Sequence, residues 1–129
     1  MDYPQRLQAC LHRVICDPAF PPAELDHWFT PDYVQHVDDK VLDYAAFRRH
    51  ILALREDLAE CQITFLALIA QGERVHSTHL VRARRRNGQT LVCKVSGLFT
   101  FRAGRLCHTD ELTCLLQGDA RDRDIGSRH

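Results

Sequence analysis

The sequence predicts an α+β domain: three N-terminal helices packed on a strongly bent, mainly antiparallel sheet with an internal pocket. Three observations predict it. Up to about residue 58, apolar residues recur at three- and four-residue steps, the period of a buried helical stripe. Beyond residue 60 the pattern changes to four extended runs separated by turn signals. Those runs are about 10 to 13 residues long, so each reaches roughly 30–40 Å at ~3.3 Å per residue. Strands that long in a chain of 129 residues have to bend around something. Helices covering one face of such a sheet leave a space between the layers.

Residues 3–16 form the first predicted helix, with Leu7, Cys10, Leu11, Val14 and Ile15 as its apolar stripe. Pro4 suits a first turn. Asp17-Pro18 ends the helix, because the residue before proline resists helical geometry. Residues 21–29 predict a second, short helix with Leu25, Trp28 and Phe29 on its apolar edge, stopped by Thr30-Pro31. Residues 33–37 predict an extended piece in which Tyr33, Gln35 and Val37 face one way and Val34 and His36 the other. The third helix runs from Tyr44 to Leu58, with Asp43 as the expected N-cap and Phe47, Ile51, Leu54 and Leu58 facing inward. Its charged residues read as a solvated face. The strands are expected at 61–70, 74–85, 90–102 and 105–116. Asn87-Gly88 is a hairpin signal, since both residues tolerate positive φ. The basic cluster Arg82, Arg84, Arg85 and Arg86 beside it reads as a wet tip rather than a phosphate site. Residues 1–116 read as one domain, and 117–129 as a polar tail.

Formal net charge is zero, so nothing global attracts nucleic acid or an anionic membrane. No apolar run approaches the roughly 18 residues a spanning helix needs. The start of the chain lacks a secretory pattern, and a soluble, cytoplasmic protein is expected. The six cysteines form no Cys-x-x-Cys pair and sit in apolar segments, as reduced buried thiols do. Eight histidines show no metal-ligand spacing, so no metal is expected.

The chain resembles the SnoaL-like polyketide cyclases of the nuclear transport factor 2-like superfold. The resemblance rests on Tyr33-Val34-Gln35-His36, the helix from Tyr44 to Leu58, the segment from Val75 to Val81, and Phe99-x-Phe101-x-x-Gly104-x-Leu106. The tail from Gly118-Asp119 to Asp124-Ile125-Gly126-Ser127-Arg128 adds to it. It implies a cone-shaped fold, a pocket between sheet and helices, and a homodimer through the open sheet face. It implies chemistry that needs no metal or organic cofactor. In such cyclases an acidic residue on the last strands takes a proton from carbon next to a carbonyl, and Asp110 best fits that place. His108 and Asp110 stand where many relatives carry a Gly-Lys-Ile-x-Glu-x-Trp pattern.

Physical chemistry supplies a separate argument. Burial raises a carboxylate's pKa and its strength as a base, and a neighbouring histidine can donate to the developing enolate. Strict alternation puts Asp110 and His108 on one face with Leu106 and Leu112. A register slip of one residue would instead turn Glu111 and Thr109 inward. His79 and Ser77 share the apolar face of the second long strand, which makes His79 a further catalytic candidate. His36, in the family's Tyr-x-x-His-like position, Tyr33, Trp28, Phe47, Phe99 and Phe101 complete the expected pocket lining. The expected ligand is a small hydrophobic molecule carrying a carbonyl. Two functions fit these residues: cofactor-free proton transfer, as in aldol-type cyclisation or isomerisation, and non-catalytic ligand binding or dimerisation. Epoxide hydrolysis would need a second inward acid and ranks below both.

Overall fold

A computed structural model of the chain describes residues 1–118. Three helices pack on one face of a six-stranded sheet, giving the α+β class that the sequence predicts. The predicted tail falls almost wholly outside the described residues.

Helix α1 spans Tyr3–Leu11, capped by Asp2, whose side chain accepts from Gln5 N at 3.0 Å. The chain then widens into a π-helical turn, His12–Cys16, closed by Asp17 N donating to His12 O at 3.0 Å. Helix α2 is a single turn, Leu25–Trp28, behind a 3₁₀ turn at Pro22–Glu24. Helix α3 spans Tyr44–Asp57 and is capped as expected by Asp43, which accepts from Ala46 N at 2.8 Å.

The strands are β1 (Phe29–Val37), β2 (Lys40–Leu42), β3 (Leu58–Gln71), β4 (Arg74–Arg85), β5 (Thr90–Arg102) and β6 (Arg105–Gln117). Their spatial order is β2-β1-β6-β5-β4-β3. The four long strands form the expected meander, antiparallel throughout. Two differences stand at the other edge. Strand β1 starts at Phe29, runs through Pro31 and pairs in parallel with β6, and β2 adds a short antiparallel edge. The β1–β6 pairing joins residues more than 70 positions apart, which local periodicity does not carry, whereas β2 returns on β1 in a tight local hairpin.

The core fills the space between helices and sheet. Leu7, Cys10 and Val14 from the first helical segment, Leu25, and Phe47 and Ile51 from α3 meet Phe29, Val75, Phe99 and Leu106 from the sheet. Each fully buried side chain of this size stabilises the fold by about 1.5–3 kcal/mol. A smaller cluster of Leu54, Leu58, Ala83, Leu91, Cys93 and Val95 closes the far end. The arginines near the Asn-Gly hairpin serve that end too. Arg85 pairs with Asp57 at 2.8 Å, Arg84 with Glu60 at 2.7 Å, and Arg86 donates to the Glu56 carbonyl.

The alternation of β6 breaks once in a way that decides the site. Phe101 pairs with Leu106, but Thr100 pairs with His108, so Cys107 is an extra residue on β6. This β-bulge reverses which side chains face inward beyond it. Leu106 is buried, and after the bulge Thr109, Glu111 and Thr113 turn to the helices. A second shift, at Leu116, lies near the strand's end.

Candidate functional site

A cavity lies between the helical layer and the concave face of the sheet. It encloses about 90 Å³ of space that the centre of a water molecule can occupy. One water needs only about 10–15 Å³ on that measure, so the cavity has room for a small organic molecule. Its walls are almost entirely apolar. Leu11, Val14 and Ile15 come from the first helical segment, Phe47, Ile51 and Leu54 from α3, and Val81, Val95 and Phe99 from the sheet.

The polar atoms in this wall are few. Tyr33, Gln35, Thr109 and Glu111 line it from the adjacent strands β1 and β6, His79 from β4, and His50 from α3. The first four are linked. The Tyr33 hydroxyl donates to Thr109 Oγ1 at 2.7 Å and lies 3.1 Å from Gln35 Oε1. Gln35 Nε2 donates to Glu111 Oε1 at 2.7 Å. The parallel pairing sets this chain of contacts, since Gln35 lies level with Thr109 and Val37 with Glu111. Phe29, Tyr33 and Phe47 pack as an aromatic trio with ring centroids 4.7–4.8 Å apart, which fixes the Tyr33 ring.

Glu111 carries the unusual electrostatics. Burial in an apolar wall penalises its charged form, and the nearby Asp38 carboxylate opposes it as well. The Gln35 hydrogen bond works the other way, and the carboxyl is pushed up to about 8. Asp38 is itself fixed: it has φ 55° in the β1–β2 turn and accepts from Thr113 N at 2.8 Å and Thr113 Oγ1 at 2.7 Å. Facing residues on neighbouring strands share a side, so Gly97 of β5 lies against Glu111. Having no side chain, Gly97 gives the Glu111 stem its space.

His79 is buried between Phe65 and Phe99, with ring centroids 5.3 and 6.3 Å away. Burial depresses its pKa to about 4, so the ring is neutral near pH 7. Ser77 Oγ lies 2.9 Å from His79 Nδ1. A carboxyl that titrates near neutrality and a neutral imidazole thus line one apolar cavity. Such a pair can exchange a proton with a bound molecule and hydrogen-bond its oxygen.

The expected site residues divide between two faces. His79, Tyr33, Phe47 and Phe99 line the cavity, with Ser77 buried behind His79. Asp110 and His108 do not line it. The Cys107 bulge turns Asp110 to the outer face, where it is exposed, and the inward carboxyl is Glu111. His36 is exposed, and its ring lies tilted against that of His108 with centroids 5.1 Å apart. Trp28 donates its indole N–H to Glu24 and lies 4.0 Å beneath the Arg6 guanidinium. Phe101 is core, packed on Tyr3 at 5.0 Å. Glu111 and Thr109 line the cavity, as the one-residue slip would have them, and Gln35, His50 and Thr113 are the additional polar residues there. Alternation from Tyr33 already turned Gln35 inward. Among the described residues, no group of three or more His, Cys, Asp or Glu is gathered as metal ligands would be.

A family model for the SnoaL-like domain matches residues 19–109. The chain belongs to this family. It is 36% identical over 100 residues to an uncharacterised protein of Schizosaccharomyces pombe, covering 78% of this chain and 77% of that one. Among solved structures, this SnoaL-like domain is similar to a candidate isomerase from Rhodopseudomonas palustris, with a TM-score of 0.76, 12% identity, and 98% of each chain covered. It is also similar to a candidate polyketide cyclase from Acidithiobacillus ferrooxidans, with a TM-score of 0.71, 19% identity, and 84% and 85% of the two chains covered. A Catenulispora acidiphila protein with a ketosteroid isomerase-like fold matches at a TM-score of 0.67 and 10% identity, over 84% of each chain. At these identities the solved structures establish the shared cone-shaped fold and no particular reaction. No helix among the described residues is long and apolar enough to cross a membrane.

Proposed function

We propose that this SnoaL-like domain binds a small, mostly apolar molecule carrying a carbonyl group and transfers a proton at the carbon beside it. Glu111 is the base. It takes the proton from the carbon acid and returns it to carbon or oxygen, the step shared by isomerisation and aldol-type cyclisation. If the Ser77 hydroxyl donates to Nδ1 of His79, the ring's proton sits on Nε2 and can serve the developing enolate oxygen. The apolar walls limit the hydration of the carboxylate and so strengthen it as a base.

One observation carries this reading: Glu111 is the carboxyl lining a mostly apolar cavity, and its surroundings push its pKa up to about 8. The test is hydrogen–deuterium exchange at the acidic carbon of a β-dicarbonyl probe, followed by NMR. Wild-type protein should accelerate exchange, and Glu111→Gln should lose most of that acceleration. Asp110→Asn should keep most of it, with at most a small shift of its pH profile to lower pH. Equal exchange by wild type and Glu111→Gln would remove the base. Binding of the probe without any exchange would favour the ligand-binding reading instead.

The proposal extends to assembly. The outer face of the sheet carries Ile69 and Leu112, 70% and 66% exposed, with the half-buried Leu80 and Leu98 between them. Exposed apolar residues on an open sheet face suit a homodimer interface, and sedimentation of wild type against Ile69→Lys/Leu112→Lys tests it.

A further inference from the structure

Cys16 closes the π-helical turn after α1, and Cys61 lies near the start of β3. They are 45 positions apart in sequence, yet their Sγ atoms are 2.7 Å apart. Both residues are half-buried, so the pair is not sealed from solvent. Each is held from its own side. Cys61 is fixed in the sheet by pairing with Ala83 of β4. Cys16 is bracketed by Arg55 of α3, which donates to the carbonyl of Val14 at 2.9 Å and to that of Asp17 at 2.8 Å. A covalent S–S bond is ~2.05 Å long, so a small shift of the two sulfurs would join them.

We propose that Cys16 and Cys61 are an oxidative modification site, a dithiol that a small-molecule disulfide of the glutathione type converts into a bond stapling the helical layer to β3. The proposal is independent of the role of Glu111. Cys16 is the attacking thiol. The two sulfurs share one hydrogen bond, which the Cys61 S–H can donate once Cys16 is ionised; that bond and the nearby Arg55 charge favour the Cys16 thiolate. The same hydrogen bond, with burial, pushes the Cys61 thiol up. In the first step the Cys16 thiolate attacks one sulfur of the oxidant, whose S–S bond breaks and releases one thiolate. Cys61 then gives up its proton to the released thiolate and attacks the Cys16 sulfur of the mixed disulfide, expelling the second small thiolate, which takes up the proton that Cys16 shed on ionising. Two protein thiols are oxidised by two electrons, and one small disulfide is reduced to two thiols. Val14 and Ile15, immediately before Cys16, line the cavity, so the staple would fix that wall.

The test uses the wild-type chain, equilibrated across ratios of oxidised to reduced glutathione, quenched with an alkylating agent and mapped by mass spectrometry. The expected result is a cross-linked pair of peptides carrying Cys16 and Cys61. Oxidation should also raise the Tm by roughly 10 °C, as closing a loop of this length in the unfolded chain does. A dithiol reductant should reverse the rise, and Cys16→Ser or Cys61→Ser should abolish it. Recovery of both cysteines as alkylated thiols at oxidising ratios, or only as glutathione adducts, would overturn the proposal. A cross-link without a rise in Tm would overturn the staple. Because the wild-type mapping decides the bond, a variant that fails to fold leaves the test intact.

Discussion

Gly97 and Glu111 face each other across β5 and β6 so closely that a Cβ on residue 97 would lie 2.8 Å from the Glu111 Cβ. The same added atom would lie 3.3 Å from both the Asp110 carbonyl and the Phe99 ring. Real Cβ atoms do not approach that closely, and the nearest atom belongs to the rigid stem of Glu111 rather than to a mobile tip. Gly97→Ala is therefore expected to push β5 and β6 apart locally and displace the carboxyl. Overpacking of this kind costs about 1–3 kcal/mol, measurable by urea denaturation. Proton exchange with the dicarbonyl probe should fall along with stability. A fully stable Gly97→Ala protein with wild-type exchange would show that the two strands yield freely.

The titration of Glu111 can be moved in both directions. As base, its exchange activity should rise with pH through about 8, where the carboxyl ionises. Asp38→Asn removes a nearby negative charge, so the profile should shift to lower pH. Gln35→Leu removes the hydrogen bond that favours the carboxylate, so the profile should shift to higher pH. The pH dependence of exchange for the three proteins checks both signs. Shifts in the same direction would mean that Asp38 and Gln35 do not act on the carboxyl in opposite senses.

Stability should follow the same group. The Glu111 pKa is raised in the folded state, so folded protein binds the proton more tightly than the unfolded chain does. The stabilisation is full below the ordinary glutamate range near 4.5 and is lost as pH rises to about 8. An upper bound is on the order of a few kcal/mol, reduced because Glu111 is partly exposed. Glu111→Gln keeps a neutral amide at all pH values. Denaturation at pH 6 and 9 should show wild type losing stability across that interval and the variant losing less. Parallel losses in both proteins would place the raised pKa elsewhere.

Much of this arrangement is legible in the sequence where strands alternate without interruption. Tyr33 and Gln35 on β1, and Ser77 and His79 on β4, face inward as their spacing indicates. The alternation of β1 also put His36 opposite Tyr33, and the structure places it outside, against the expectation drawn from its motif position. The carboxyl differs for one reason. The bulge at Cys107 has no glycine or proline to mark it, and it is set by how β6 meets β1 on one side and β5 on the other. The pairing with β1 joins distant parts of the chain, and the β5–β6 hairpin carries the bulge without a residue type that signals it. Counting in twos from Leu106 reaches Asp110, and the extra residue hands the position to Glu111. Trp28 illustrates a different limit: its apolar spacing is real and it packs against the core, but it is held by Glu24 and Arg6 and does not line the cavity.

His79 should govern the acid side of the stability profile. Its folded pKa is depressed to about 4 by burial, below the ordinary histidine value of about 6.5. Between those values the unfolded chain binds a proton that the folded protein refuses. Stability is thus complete above about pH 6.5 and falls as pH drops towards 4. The loss attributable to this group is at most about 3 kcal/mol. His79→Gln removes the titration while keeping a polar side chain beside Ser77. Chemical denaturation at pH 7 and pH 4.5 should therefore show a smaller acid-induced loss in the variant than in wild type, even if the variant starts less stable. The comparison of slopes, rather than of absolute stability, separates titration of the ring from its packing between Phe65 and Phe99. An equal loss in the two proteins would mean that His79 takes up its proton in the folded state as readily as in the unfolded chain, and that the ring is not shielded by the cavity wall.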